Sequence, residues 1–182
     1  SFVGSTNVAV HIYQASAANG KRVQALGSAK NHMVVMPDAD ITQASDALVG
    51  AGFGSTGQRC MAVSVAVAVG EFAADQLMER LTQQVRAIRV GPGNDPKTEM
   101  GPLVSQAALD KVKGYIDQGV ADGAELVVDG RELTLPRYEG GYFMGPCLFD
   151  KVTPEMSIYT DEIFGPVLMV VRAPDYETAL GM

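Results

Sequence analysis

Apolar residues follow two patterns along the chain, and together they predict its secondary structure. Short continuous apolar runs are typical of strands buried in a parallel sheet, and they occur at 2–3, 23–26, 33–36, 61–69, 126–128, 142–144, 148–149 and 167–171. Apolar residues at helical spacing predict helices that begin after Ser5 or Thr6, after 37–40, at Glu71 and after Ser105. Because strands alternate with helices, the chain is predicted to be an α/β protein with an open, largely parallel sheet.

The helical spacing also predicts which residues share a face. In the first helix Val8, Ile12 and Ala15 lie on one face. In the helix from Glu71 the apolar residues at helical spacing are Phe72, Leu77, Leu81 and Val85. In the helix after Ser105 the residues predicted to face inward are Leu109, Val112, Tyr115, Ile116 and Val120. A run of glycines is expected to break regular structure just before Cys60, and its members are Gly50, Gly52, Gly54 and Gly57.

Composition and charge narrow the classes of function. The 182 residues include 14 Lys and Arg against 21 Asp and Glu, a net charge of −7, with no basic run. Such a chain is predicted to bind neither nucleic acid nor an anionic membrane surface, and no apolar run is long enough to span a bilayer. Hydrophobic and charged fractions of 47% and 19% exclude a disordered chain. The presence of only two cysteines favours a reducing compartment, the cytoplasm or, in a eukaryote, the mitochondrial matrix.

Cys60 is the first candidate for chemistry. It follows the glycine-rich segment 52–59 and precedes a long apolar run. Glycines let the backbone approach a substrate closely, and the neighbouring Arg59 is suited to binding an anion. A buried structural cysteine is one alternative. A thiol hydrolase with His11 or His32 as the base is another, although neither histidine lies in a recognisable signature.

Two other segments are candidate binding loops. Gly4-Ser5, between a predicted strand and a predicted helix, is suited to phosphate because a helix N-terminus offers free amides. Residues 161–167 combine carboxylates, an aromatic ring and a Gly-Pro turn, which suits a ligand with hydroxyls and a ring. Ordinary turns that connect elements are the alternative for both. No metal site is predicted, since closely spaced Cys or His ligands are missing.

Four segments together resemble the aldehyde dehydrogenase superfamily. In chain order they are Phe-Val-Gly-Ser-Thr at 2–6, the run from Phe53 that ends in Gly-Gln-Arg-Cys at 57–60, Lys-Thr-Glu-Met-Gly-Pro-Leu at 97–103 and Glu-Ile-Phe-Gly-Pro-Val at 162–167. The resemblance covers essentially the whole chain, and the cysteine and Glu-Ile-Phe-Gly-Pro motifs are its most specific parts. It implies a catalytic domain of three layers, α/β/α, around the open, largely parallel sheet.

Within the superfamily, three motifs resemble the branch that oxidises methylmalonate and malonate semialdehydes. They are Lys30-Asn31-His32, the segment 57–60 and Thr-Pro-Glu-Met at 153–156. This resemblance implies NAD-dependent oxidation through a Cys60 thioester. Coenzyme A would accept the acyl group, with loss of carbon dioxide, to give propionyl-CoA or acetyl-CoA. A hydrolytic semialdehyde dehydrogenase and the cofactor-free thiol hydrolase are the alternatives. The implied partners are a small-molecule semialdehyde and further copies of the chain in a homo-oligomer.

The family pattern implies a role for each matching residue. Cys60 is the catalytic nucleophile, and its backbone amide is one donor of an oxyanion hole. The residues implied to bind NAD are Ser5 at the pyrophosphate, Gly27 beside the nicotinamide, Glu162 at the nicotinamide ribose and Phe164 next to it. Cys147 matches no family motif and is predicted to be structural.

The resemblance also bears on the substrate and on the acyl acceptor. Arg59 is implied to bind the carboxylate of the semialdehyde, a task that suits a guanidinium group. Hydrolytic members carry a glutamate base in an acidic-Leu-Gly-Gly-Lys motif, whereas residues 25–30 here read Ala-Leu-Gly-Ser-Ala-Lys, with Leu26 in the place of that base. Water is poorly activated without a base, while a thiol is a good nucleophile near neutral pH. The departure therefore favours CoA over water.

The chain is expected to be a piece of a longer protein, because it opens inside an apolar strand and ends inside a helical pattern. Residues 1–25 are predicted to be a remnant of the NAD-binding domain. Residues 26–182 are predicted to be the catalytic domain, truncated at its C-terminus. The piece alone is expected to show no dehydrogenase turnover.

Overall fold

The computed structural model describes all 182 residues, Ser1–Met182. Its strands are β1 (Phe2–Val3), β2 (Ala25–Leu26), β3 (Asn31–Val35), β4 (Val63–Val69), β5 (Glu125–Val128), β6 (Cys147–Asp150) and β7 (Val167–Ala173). Its α-helices are α1 (Thr6–Ala18), α2 (Ile41–Phe53), α3 (Glu71–Ala87), α4 (Gln106–Ala121), α5 (Ser157–Thr160) and α6 (Tyr176–Leu180). A 3₁₀ turn covers Gly54–Gly57. None of the helices has the length and apolar character needed to cross a membrane.

A five-stranded sheet lies at the centre, in the order β3-β4-β7-β6-β5. Strands β3, β4, β7 and β6 are parallel, and β5 pairs with β6 in the antiparallel direction at one edge. Helices pack against both faces of this sheet. The prediction of a three-layer α/β/α protein with an open, largely parallel sheet is therefore confirmed. Strands β1 and β2 form a separate parallel pair.

The two middle strands divide the core into two layers, because successive side chains of a strand point to opposite faces. The valines at alternate positions of β4 pack in the layer of α4, which contains Val65, Val67, Val69, Leu109, Val112 and Ile116. The alanines between them pack in the layer of α2 and α3, which contains Ala66, Ala68, Leu48, Leu77 and Leu81. Both faces of β4 and β7 are buried, which explains why these strands are continuous apolar runs rather than alternating ones.

The apolar face predicted for the first helix is largely on the surface. Ala9 is the buried residue of α1, Ile12 is half-buried, and Val8 and Ala15 are exposed. The helix packs mainly on β2 and β1 rather than on the five-stranded sheet, so most of its apolar side chains remain on the surface. Ser5 is the N-cap residue, although its side chain makes no capping hydrogen bond.

Other predictions failed where packing between distant segments decides the local structure. Residues 142–144 form no strand, and the run at 23–26 is a strand only over its last two residues. Gly50 and Gly52 lie inside α2 rather than breaking it. In α4, Val120 is exposed and Gly119 is buried in its place. A Cβ atom on Gly119 would lie 2.8 Å from Ile158 Cδ1, so the glycine lets α5 pack closely without a shift of the Ile158 side chain.

Candidate active site

A narrow cleft lies where three chain segments enter neighbouring parallel strands. Its walls include Ala29 and Asn31 at the start of β3, Cys60 just before β4, and Glu162 and Phe164 just before β7. Since β3, β4 and β7 are adjacent and parallel, their amino ends meet at one edge of the sheet. The cleft thus joins the two motifs that the sequence singled out, although about 100 residues separate them.

Cys60 lies in a tight turn that follows the end of α2. Ser55, Thr56 and Gly57 all have positive φ angles, of 52°, 58° and 68°, so the chain reverses sharply before the cysteine. A second turn, closed by a 3.0 Å hydrogen bond from Ala62 N to Arg59 O, leads into β4. Cys60 is exposed in this turn, and its backbone N–H donates to no group of the protein. The turn therefore presents a thiol and a free backbone donor together.

Gly57 ties the cysteine turn to the loop before β7. A Cβ atom at this position would lie 2.6 Å from the carbonyl carbon of Gly165 and closer still to its oxygen. No side chain larger than hydrogen fits there, and the φ of 68° is itself in the region that glycine adopts most readily. The two family motifs therefore contact each other through their backbones.

A third segment, residues 101–104, is hydrogen-bonded to the cysteine turn. The hydroxyl of Thr56, which is buried, donates to the carbonyl oxygen of Gly101 at 3.0 Å. The side-chain oxygen of Gln58 accepts a hydrogen bond from Val104 N at 3.0 Å. The segment 97–103 was noted in the sequence only for its resemblance to the family. Through these contacts, it and the adjacent Val104 hold the turn that carries Cys60.

Glu162 and Phe164 lie on the opposite wall of the cleft. Glu162 Oε1 accepts a hydrogen bond from Ala29 N at 3.3 Å, and Lys111 Nζ donates to the Glu162 carbonyl oxygen at 3.0 Å. The second carboxylate oxygen has no partner within the protein. Phe164 is 39% exposed, and its φ of 58° turns the loop just before Gly165. One carboxylate oxygen and one aromatic ring thus remain open to a ligand.

Lys30 and Asn31, which follow Ala29, bind the loops that form the two walls of the cleft. The sequence alone assigned neither of them a role in the site. Asn31 Nδ2 donates to the carbonyl oxygens of Cys60 and Ala62, at 2.8 and 2.9 Å. Lys30 Nζ donates to the carbonyl oxygens of Ile158 and Asp161, at 2.6 and 2.7 Å. Burial lowers the pKa of Lys30 to about 8, against the opposing effect of the nearby carboxylates, so the ammonium form still prevails at neutral pH. The signal in the sequence was the motif Lys30-Asn31-His32, which was noted for its resemblance and given no structural role.

Arg59 lies beside Cys60 on the cleft wall. Its Nη2 donates to the carbonyl oxygens of Ala51 and Gly50, at 3.0 and 3.4 Å, where α2 ends. Arg59 forms no ion pair with any carboxylate of the chain. Its position is thus fixed by two backbone contacts while its charge stays uncompensated, which is the electrostatic condition for attracting an anionic ligand.

Two of the predicted cofactor residues, Ser5 and Gly27, are not among those lining the cleft. Gly27 packs against the start of α1, where a Cβ atom would lie 2.8 Å from Thr6 Oγ1. Thr6 Oγ1 also accepts a hydrogen bond from Ser28 N at 3.1 Å. Ser5 precedes this threonine at the N-terminus of α1. The two residues are therefore close to each other, at the junction between the β1–β2 pair and the cleft.

Neither histidine contacts Cys60 as a base would. The ring nitrogens of His32 contact the Lys30 carbonyl oxygen and the Tyr159 hydroxyl, each at 3.0 Å, and its ring lies edge-on to that of Tyr159. His11 lies on the exposed side of α1 and makes no side-chain hydrogen bond. The Cys–His hydrolase interpretation therefore has no geometric support.

No group of His, Cys, Asp or Glu side chains is arranged to hold a metal ion.

The second cysteine differs sharply from Cys60. Cys147 is buried in the core, and its sulfur accepts a hydrogen bond from Gly130 N at 3.2 Å. Burial raises the pKa of the Cys147 thiol to about 11, so it stays protonated at neutral pH. A buried thiol of this kind packs as a small apolar group.

Comparisons with known proteins identify the family of the chain. The family model described as "Aldehyde dehydrogenase family" matches residues 1–182. Malonate-semialdehyde dehydrogenase of Pseudomonas aeruginosa is 58% identical over 180 residues, which is 99% of this chain and 36% of that protein. The mitochondrial acylating methylmalonate-semialdehyde dehydrogenase of Arabidopsis thaliana is 44% identical over 182 residues, 100% of this chain and 30% of that protein.

A solved structure is similar over nearly the whole chain. A crystal structure from Sinorhizobium meliloti, provisionally named methylmalonate-semialdehyde dehydrogenase and complexed with NAD, is 56% identical, with a TM-score of 0.97. The match covers 99% of this chain and 37% of that one. This chain thus spans only about a third of the length of the relatives it matches.

Proposed function

Since this chain belongs to the aldehyde dehydrogenase family, we propose that a protein of full family length carrying it oxidises malonate or methylmalonate semialdehyde and transfers the acyl group to coenzyme A. The observation that carries the proposal is the pairing, in one cleft, of an exposed Cys60 whose backbone N–H is free with a Glu162 carboxylate that has one oxygen open. The names of relatives at 58% and 44% identity support the choice of substrate.

The first step uses the two free groups of the cysteine turn. The Cys60 thiolate attacks the aldehyde carbon, a C–S bond forms, and the π bond of the carbonyl breaks to leave its electrons on oxygen. The free N–H of Cys60 would stabilise this oxyanion, which is the role of an oxyanion-hole donor. When the oxyanion collapses, the carbon loses a hydride to bound NAD, and the product is a thioester on Cys60.

The residues present fit part of an NAD site. The open oxygen of Glu162 is an acceptor for ribose hydroxyls, and the exposed ring of Phe164 provides an apolar wall beside it. Ser5 precedes the N-terminus of α1, where free amides favour a pyrophosphate group. Gly27 packs against Thr6, the residue that follows Ser5. These four residues would orient the nicotinamide toward Cys60.

Arg59 is the residue proposed to bind the carboxylate of the substrate. In malonate and methylmalonate semialdehydes, one carbon separates the carboxylate from the aldehyde group. When the thiol attacks the aldehyde, the carboxylate is therefore close enough to reach a guanidinium group on the neighbouring residue. Because Arg59 has no carboxylate partner in the protein, the substrate carboxylate gains the full charge-assisted pairing. The same carboxylate is lost as carbon dioxide when the acyl group is converted to acetyl-CoA or propionyl-CoA.

The choice of CoA over water follows from the lack of a base near Cys60. Leu26 stands where hydrolytic members carry their glutamate, and both nitrogens of His32 are engaged elsewhere. The one carboxylate of the cleft, Glu162, is bound to Ala29 N and is assigned above to the ribose hydroxyls, so it is not counted as a base for water. A CoA thiolate needs no such base: it attacks the thioester directly and expels the Cys60 thiolate.

The test is the dependence of product formation on CoA. With malonate semialdehyde and NAD but no CoA, we expect NADH formation to stop after about one turnover per active site, because the thioester accumulates. Addition of CoA should restore steady turnover with acetyl-CoA as the product. Measurement of NADH absorbance together with chromatography of the acyl products distinguishes the cases. Sustained NADH and free acid without CoA would show a hydrolytic enzyme instead, and turnover without NAD would show a thiol hydrolase.

We also propose the domain division and location that accompany this activity. Residues 1–25 would belong to the NAD-binding domain and residues 26–182 to the catalytic domain; β2 (Ala25–Leu26) straddles this boundary. Both cysteines are free thiols, which suits the bacterial cytoplasm or the mitochondrial matrix. The full-length protein would act as a homo-oligomer.

A further inference from the structure

Three consecutive residues, Ala29, Lys30 and Asn31, make contacts with both walls of the cleft. Side chains of neighbouring residues in an extended segment point in opposite directions, and here Lys30 and Asn31 reach different loops. Asn31 binds the loop that carries Cys60, whereas Lys30 binds the loop that carries Glu162. The Ala29 backbone N–H binds the Glu162 carboxylate itself. A single short segment therefore connects the thiol wall to the carboxylate wall.

The contacts of Asn31 fix the peptide groups on both sides of the cysteine turn. A carboxamide nitrogen has two N–H donors, and in Asn31 they reach the carbonyl oxygens of Cys60 and Ala62 at 2.8 and 2.9 Å. The hydrogen bond from Asn31 to the Cys60 carbonyl oxygen restricts rotation about the bond between the Cα and the carbonyl carbon of Cys60. The directions of the thiol and the free N–H of Cys60 depend on that same backbone, so Asn31 limits both.

The contacts of Lys30 fix the loop that leads to Glu162. Its ammonium group bridges the carbonyl oxygens of Ile158 and Asp161, so the loop cannot move away from β3 without losing two charge-assisted hydrogen bonds. On its other side the loop is held by α4, since Tyr115 donates to Asp161 Oδ2 at 3.1 Å and Lys111 donates to the Glu162 carbonyl oxygen.

We propose that Asn31 and Lys30 are positioning residues with separate targets: Asn31 orients the Cys60 thiol and amide for attack, and Lys30 orients Glu162 toward the cofactor. The second half, and the kinetic readouts of both halves, rest on the function proposed above. Neither side chain reacts with the substrate, so each acts only through the backbone it holds.

The test compares Asn31→Ala with Lys30→Met in a protein of full family length that carries this chain. In hydrogen–deuterium exchange, we expect Asn31→Ala to speed exchange about tenfold in the peptide covering 59–63 and to leave 157–163 unchanged, since one net hydrogen bond is worth about that factor. Lys30→Met should give the reverse pattern. Asn19→Ala is the matched control, because Asn19 Nδ2 also donates to a carbonyl, that of Ala15 at 2.8 Å, and it should change neither peptide.

Kinetics of the same variants separate positioning from a general loss of structure. Asn31→Ala should lower kcat about tenfold with the KM for NAD within twofold of the parent, whereas Lys30→Met should raise the KM for NAD about tenfold. Asn31→Ser and Lys30→Arg keep a donor and should each recover part of the loss. Exchange that rises in both peptides for either variant, or in neither, would overturn the proposal. If the parent protein forms no NADH, the proposed function fails, yet the exchange experiment still decides whether the two residues hold separate walls.

Discussion

Replacing Cys60 with serine is expected to lower the rate of NADH formation by about 10⁴-fold or more in a full-length protein that carries this chain, the scale of loss found when a covalent nucleophile is removed. A thiol is intrinsically a strong nucleophile, whereas a serine hydroxyl needs an adjacent base. Both ring nitrogens of His32 are engaged, Leu26 lies at the position of the family's glutamate, and the one carboxylate of the cleft, Glu162, is assigned to the cofactor, so no residue takes the role of a base for a serine at position 60. The measurement is the steady-state rate of NADH formation with malonate semialdehyde, NAD and CoA.

Cys147→Ala is the control for this experiment. Cys147 lies in the core away from the cleft, so its loss should reduce the free energy of unfolding by about 1–2 kcal/mol through a small cavity. The NADH rate per folded molecule should remain that of the parent protein. If the serine variant at position 60 kept more than a few per cent of the activity, or if the Cys147 variant lost it, the assignment of the nucleophile would be wrong.

Gly57→Ala is expected to destabilise the protein by about 3 kcal/mol, because it combines a left-handed backbone with a forced overlap. The new Cβ would lie 2.6 Å from the carbonyl carbon of Gly165, so the cysteine turn and the loop before β7 must separate. Since Glu162 and Phe164 lie in that loop, the KM for NAD should rise and kcat should fall together. Urea unfolding and steady-state kinetics measure the two effects.

Gly50→Ala is the matched control, seven residues earlier in the chain. Gly50 lies in α2, and a Cβ atom there would meet no other atom within 4 Å. Alanine is the better helix former, so this variant should stabilise the protein by roughly 0.5–1 kcal/mol and keep full activity. Equal stability of the two variants would contradict the close backbone contact between Gly57 and Gly165.

The central strands could be predicted from the sequence because their environment is uniform. Strands β4 and β7 are buried on both faces, and this condition appears directly as continuous apolar runs. Helix α3 was equally evident from its spacing, and Leu77, Leu81 and Val85 are buried, although Phe72 of the same spacing is 75% exposed. In contrast, Gly119 could not be chosen over Val120 as the inward residue, because that choice depends on where Ile158 lies in space.

The site was predictable as a set of motifs but not as a geometry. Cys60 and Glu162 were identified from the residues around them, yet their meeting in one cleft depends on the order β3-β4-β7 in the sheet. No local pattern encodes that order. For the same reason the role of Asn31 was missed: its partners are the carbonyl oxygens of Cys60 and Ala62, about 30 residues away.

The proposed chemistry is tested most directly by mass spectrometry of the peptide that contains Cys60. A full-length protein carrying this chain is mixed with malonate semialdehyde and NAD, quenched in acid and digested. We predict a thioester on Cys60, absent from Cys147, that disappears when CoA is added and is recovered as acyl-CoA. An unmodified Cys60 in the presence of NADH formation, or an adduct released as free acid at the same rate with and without CoA, would contradict the proposed acyl transfer.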